Sequence, residues 1–160
     1  ADPAAELPAC VLALGATIVV QSSQGQREIP ADAYFLGLYD TARQPEELLT
    51  EVRIPVESVE RSSVFMELSQ RQGDFAMAGI AATVRASPEC ILDARLVYFA
   101  SEDRPTLGEQ AMATLRGKPW DAASREAVQT ALAVSPKLNP QSLRVTPRPF
   151  NPRHPAKNPK

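Results

Sequence analysis

The stretch "AMAGIAATVRASPECILDARLVYFA" (residues 76–100) decides how the second half of this chain folds. Its apolar residues recur at alternate positions, the period of a strand with one packed face. Ile80, Ala82 and Val84 share one side of the first segment. Leu92, Ala94, Leu96 and Tyr98 share one side of the last, opposite Asp93 and Arg95. "SPE" (87–89) between them is a tight connection, since Ser and Pro favour turns and Pro cannot donate to a ladder. Upstream, "SVFMELSQR" (63–71) alternates in the same way, with Val64, Met66 and Leu68 together. The three segments predict an antiparallel meander.

Two helices follow in this reading. "TLGE" (106–109) has the spacing of a capping box, with Thr106 as the cap and Glu109 three residues on. Leu107, Ala111, Met112 and Leu115 then share a face, and Gly117 ends the helix. Asp121 caps the next helix, whose apolar side carries Ala127, Val128, Ala131 and Leu132, and Pro136 stops it. The fold class is α+β, a three-stranded antiparallel sheet with helices packed on one face.

The first half reads less regularly. A helix is predicted over about 7–14, with Pro8 tolerated only in its first turn, Glu6 at its N-terminus and Gly15 at its stop. "ATIVVQ" (16–21) is β-branched and reads as a strand, "SSQG" (22–25) as a turn, and "REIP" (27–30) as the returning strand. "ADAYFLGLY" (31–39) reads as a short helix or docked loop, and "PEELL" (45–49) as a helical turn. "TEVRIP" (50–55) alternates as a strand. A boundary falls near the polar "VESVER" (56–61).

Charge divides the chain differently. Residues 1–136 hold 11 Lys and Arg against 19 Asp and Glu, a balance of −8. Residues 137–160 hold six basic residues, no acid and six prolines. Such a composition predicts a flexible basic tail without a core. It lacks interleaved aromatics beyond Phe150, which argues against nucleic-acid binding. No apolar run approaches the ~20 residues of a membrane span. Cys10 and Cys90 lie far apart in apolar contexts. Free buried thiols and a reducing, cytoplasmic compartment are the expectation, with a disulfide not required.

The inventory of reactive groups is poor. The single histidine, His154, lies in the proline-rich tail, and no His/Cys set has metal-ligand spacing. None of the seven glycines forms a phosphate-cradling motif. Neither catalytic nor metal-ligating residues are expected. Gly73-Asp74 in "RQGDFAMAG" (71–79) bends the chain between strands, and Asp74 reads as a turn acid or as part of a ligand or subunit surface.

Five phrases occur in order: "ADPAAELPACVLALGATIVV" (1–20), "PEELLTEVRIP" (45–55), "RQGDFAMAGIAATV" (71–84), "LDARLVYF" (92–99) and "RGKPW" (116–120). This series resembles the FAD-binding middle subunit of molybdenum hydroxylases, the group of carbon monoxide dehydrogenase and xanthine dehydrogenase. The resemblance implies that residues 1–58 are the second half of a PCMH-type FAD-binding domain. Residues 59–136 would be the family's C-terminal domain, and residues 137–160 the basic tail. It implies FAD as cofactor, an iron–sulfur small subunit and a molybdenum-cofactor large subunit as partners, and electron transfer through FAD to an external acceptor. Glu6 matches a family carboxylate that accepts hydrogen bonds from FAD hydroxyls, and Leu49 an apolar residue packing near the flavin. Met66 falls where some members place a lysine, and it supplies neither charge nor donor.

The family's two glycine-rich phosphate loops precede "ADPAAELP", so the expectation is an N-terminally truncated flavin domain with weak or lost FAD binding. After "TALAVSP" (130–136) the family continues with a helix rich in arginine and leucine, whereas this chain turns proline-rich. The alternatives are a non-catalytic module that docks partner subunits, or a non-functional fragment. Autonomous catalysis is not expected.

Overall fold

The computed structural model describes residues 1–56, 61–71 and 73–133. The predicted boundary at 56–61 falls largely outside the described residues, as do Pro136, the whole 137–160 tail and the side chain of Leu132. The elements are α1 (Glu6–Ala13), β1 (Thr17–Ser22), β2 (Gly25–Pro30), α2 (Ala31–Tyr34), β3 (Phe35–Gly37), β4 (Asp40–Thr41) and β5 (Leu48–Arg53), then β6 (Ser62–Ser69), β7 (Ala76–Ala86), β8 (Ile91–Phe99), β9 (Thr106–Leu107), α3 (Glu109–Leu115) and α4 (Ala122–Ala133).

Helix α1 begins and ends as its sequence requires. Pro8 lies in the first turn, where its missing N–H has no intrahelical partner to lose. Gly15 takes φ +62°, the amide of Gly15 donates to Leu12 O and that of Ala16 to Val11 O. Those two bonds form a Schellman stop, which favours glycine at the left-handed position.

Three strands form the first sheet, in the order β2-β1-β5, all antiparallel. "PEELL" is not a helical turn: residues 45–46 turn and β5 starts at Leu48. Pairing with β1 overrides the local helix propensity of the two leucines. Ile18 and Val20 of β1 are buried with Ile29, Tyr34 and Phe35, so the docked 31–37 segment closes one face.

The second sheet runs β6-β7-β8-β9, the predicted meander with a two-residue strand added at its edge. Ala82, Ala94 and Leu96 pack on Ala111 and Leu115, with Val128 and Ala131 of α4 beside them. That face matches the alternation read from sequence, except at one position. The β7–β8 register shifts between Arg85 and Ala86, so Ile91 rather than Leu92 enters this core and Leu92 is exposed. A β-bulge inserts one residue and swaps the face of everything beyond it.

Thr106 does not cap α3. It pairs with Tyr98 as part of β9, and Gly108 takes the cap position. The next cap is as read: Asp121 Oδ1 accepts from the Ser124 amide at 2.8 Å, and Ser124 Oγ accepts from the Asp121 amide at 3.0 Å.

The opposite face of the meander is closed by α1. Ala9, Leu12 and Ala13 pack on Ala81, Val97 and Phe99. The polar residues on that face serve the helix. Arg95 Nη2 donates to Leu12 O at 3.0 Å, and Thr83 Oγ1 donates to Ala13 O at 3.3 Å. Ala13 O is a carbonyl that the last helical turn leaves without a helical partner, and Leu12 O, which already accepts from the Gly15 amide, takes Arg95 as a second donor. The two halves of the chain thus share one core.

Candidate functional site

The three residues singled out from sequence stand on three different elements. Glu6 opens α1, where a carboxylate is favoured by the positive end of the helix. It is exposed. Burial, and then the Glu6 charge four residues away, push the Cys10 thiol up, so it stays protonated. Cys10 and Cys90 are both free.

Leu49 lies on β5 directly across from Val20, with its side chain 45% exposed. On the other side of Val20 stands Arg27, so Arg27, Val20 and Leu49 form one cross-strand row on one face. A charge clasp holds the entry to β5. Arg27 grips Glu47 with Nε to Oε1 at 2.9 Å and Nη2 to Oε2 at 2.7 Å, while Nη2 also donates to Ala42 O. The Gln44 amide donates to Glu47 Oε2 at 2.7 Å, and Arg43 Nη1 donates to the Glu47 carbonyl at 2.6 Å. Glu47 is 8% exposed. The Arg27 hydrogen bond, with the Gln44 amide second, lowers its carboxyl to about 2.

Met66 is in the middle of the edge strand β6, opposite Ile80 and 63% exposed. Paired residues in an antiparallel ladder share a face. Met66, Val64 and Leu68 therefore face the α3–α4 side, but the helices cover β8 and leave these three exposed. Glu67 and Phe65 face the α1 side, with Phe65 stacked on Phe99 at 5.4 Å between centroids. Glu6 and Met66 thus belong to opposite faces of the second sheet and are not brought together there.

A separate cleft of about 690 Å³ runs along the β9 edge, lined by Leu12, Ala31, Phe35, Tyr98, Arg104 and Gly108 among others. Arg104 Nη1 donates to the carbonyls of Phe35 and Leu36 and ties its two walls. None of Glu6, Leu49 and Met66 lines it. Sequence reading missed both this tie and the Glu47 clasp. The only local signal was an acid within "PEELL", a residue type that on a strand edge is ordinarily solvated.

Taken singly, an exposed carboxylate can accept from hydroxyls and an exposed apolar side chain can pack on a flat ring, but the cleft is lined by none of Glu6, Leu49 and Met66. Among the described residues no glycine-rich loop offers backbone N–H groups to a diphosphate. No group of three or more potential metal ligands occurs among the described residues.

This architecture of a three-stranded and a four-stranded sheet beside the small β3–β4 pair, with α1 packed on the larger sheet, matches known proteins. Residues 1–57 match the FAD binding domain in molybdopterin dehydrogenase, and residues 63–148 the CO dehydrogenase flavoprotein C-terminal domain. The chain belongs to the flavoprotein medium-chain family of the molybdenum hydroxylases. Among its relatives is the glyceraldehyde dehydrogenase medium chain of Sulfolobus acidocaldarius, 30% identical and matched over 89% of this chain and 50% of the relative. The caffeine dehydrogenase subunit beta of a Pseudomonas species is 36% identical over 74% of this chain and 41% of its own length. A solved carbon monoxide dehydrogenase from Hydrogenophaga pseudoflava superposes with a TM-score of 0.79 at 30% identity, covering 83% of this chain and 47% of that one. The chain spans about half the length of the curated relatives it matches. No helix among the described residues is long and apolar enough to cross a membrane.

Proposed function

We propose that this chain forms part of the flavin-holding surface of a molybdenum hydroxylase medium subunit. In this reading a bound FAD would supply the redox chemistry linking an iron–sulfur small subunit, itself served by a molybdenum-cofactor large subunit, to an external acceptor. The chain binds and orients that flavin. Glu6 accepts hydrogen bonds from FAD hydroxyls, while Leu49 and Met66 offer apolar contact. The observation that carries the reading is the match of both segments, in order, to a flavin domain and its C-terminal partner domain. The organisation into 1–58, 59–136 and a basic tail at 137–160 belongs to the same proposal, as does a reducing cytoplasmic setting, which two free thiols favour.

Flavin fluorescence on titration of the chain with FAD tests it. Weak but saturable binding, without the grip of the phosphate loops, that weakens further in Glu6→Gln and in Leu49→Ala is the expected result. No saturation at millimolar FAD, or binding indifferent to both substitutions, overturns it.

A second reading is a subunit-docking module without flavin. The exposed Val64, Met66 and Leu68 on an edge strand favour it. Co-purification with the large and small subunits in the absence of any flavin absorbance would select this reading over the first.

A further inference from the structure

We propose that Glu47 is a positioning residue for flavin binding, which holds the start of β5 so that Leu49 stands at a set height above the β2–β1–β5 sheet. The inference rests on the flavin reading above and concerns how the chain presents its apolar contact, not whether it has one.

Four observations converge on Glu47. It lies two residues before Leu49, at the point where the loop from β4 becomes β5. Both its carboxylate oxygens and its carbonyl are engaged by its own chain, by Arg27, Gln44 and Arg43. Arg27 shares the cross-strand row of Val20 and Leu49, so the clasp closes a loop around the row that carries the leucine. On its other side that row adjoins an interruption of the ladder. Its register shifts between Val19 and Val20, with Glu51 opposite the first and Leu49 opposite the second. Thr50 is left over at the shift, and its Oγ1 reaches Val19 O at 3.4 Å. A bulge bends its strand and leaves its extra residue unpaired, and Leu49 and Leu48 resume the ladder beyond it, opposite Val20 and Gln21. Leu48 and Leu49 are therefore held by the clasp on one side and a bulge on the other, while both expose apolar surface.

A bidentate arginine–carboxylate pair supplies geometry more than stability. Two planar groups joined by parallel bonds define both distance and orientation. Lysine in place of arginine keeps the charge but gives up that definition. Glu47 does not itself face a ligand, because its oxygens are already spoken for. Its effect passes through the backbone to Leu49.

The test pairs two measurements on the full chain, amide hydrogen exchange and FAD titration by flavin fluorescence. Wild type, Glu47→Gln, Arg27→Lys, and Glu47→Gln combined with Leu49→Ala are compared. Glu47→Gln is expected to speed exchange at residues 48–50 while leaving β7 and β8 unchanged. Its FAD affinity should fall roughly three- to tenfold, the cost of ordering a loosened contact at binding. Arg27→Lys should lie between Glu47→Gln and wild type. Adding Leu49→Ala to Glu47→Gln should cost little more, because the two act through one contact.

Faster exchange at 48–50 with unchanged FAD affinity would make the clasp structural only and overturn the proposal. So would an affinity loss accompanied by faster exchange throughout β7 and β8, which is general destabilisation. If Glu47→Gln does not fold, Arg27→Lys is put through the same two measurements, and the same results support or overturn the proposal. Wild type that binds no FAD removes the flavin reading and this proposal together; wild type that binds while both variants bind equally well removes this proposal alone.

Discussion

Replacing Gly79 by alanine tests the packing that joins α1 to the second sheet. Gly79 pairs with Phe99 across β7 and β8. A Cβ at residue 79 would stand 2.2 Å from both Cε1 and Cζ of the Phe99 ring and 2.9 Å from Cδ1. Carbon atoms pack best at about 3.5–4.0 Å, so the ring would have to recede by about 1.3 Å or more. It has no room to do so: Phe99 is fully buried, stacked on Phe65, and pressed against Ala9, Leu12 and Ala13. Overpacking of this kind costs about 1–3 kcal/mol. Against it stands a gain of about 0.4–1 kcal/mol, since alanine narrows the unfolded ensemble and the backbone here is not left-handed. The net expectation for Gly79→Ala is a loss of roughly 0–2.6 kcal/mol by urea unfolding. In a Phe99→Leu background the three outer ring carbons, Cε1 and Cζ among them, are gone, and Gly79→Ala should become neutral or stabilising. The coupling between the two sites should therefore exceed about 0.5 kcal/mol. Equal cost of Gly79→Ala in both backgrounds, or stabilisation in the wild type, would refute this account of the contact.

The remaining expectations are narrower. The Glu47 carboxyl lies at about 2, below its ordinary value, so its contribution to stability is present above pH ~4.3 and lost as the pH falls toward 2. Glu47→Gln should flatten that acid limb in a near-ultraviolet circular-dichroism titration; an unchanged limb would contradict the clasp. Gly108→Ala should cost about 1–3 kcal/mol, because its Cβ would fall 2.2 Å from the Tyr98 hydroxyl oxygen and 2.6 Å from Cζ. Tyr98→Phe should recover only part of that loss in denaturant melts, since Cζ remains. Asp121→Ala removes the side-chain cap of α4 and should cost about 1 kcal/mol, read as a lower urea midpoint, with Asp121→Asn nearly silent.

The alternation of Ile80, Ala82 and Val84 was legible in sequence because a strand's period is local to the strand. So were the stop of α1 at Gly15 and the Asp121 cap, each built from residues within one turn of each other. The resemblance to molybdenum hydroxylase medium chains was legible as well, as ordered phrases rather than as a site. Leu92 exchanged its place with Ile91 because a bulge depends on how β8 meets β7, which neither strand encodes alone.

By itself the sequence determined the types of the longer elements, the α+β class and the family. Only the tertiary structure decided that α1 closes the back of the meander and that Thr106 joins a strand instead of capping a helix. It also decided that Glu47 is buried in a clasp and that Met66 faces away from the side Glu6's helix covers. The reason is physical: periodicity and caps arise from neighbours a few residues apart. Burial, ladder register and charge pairing depend on residues such as Arg27 and Glu47, 20 positions apart, that meet only after folding.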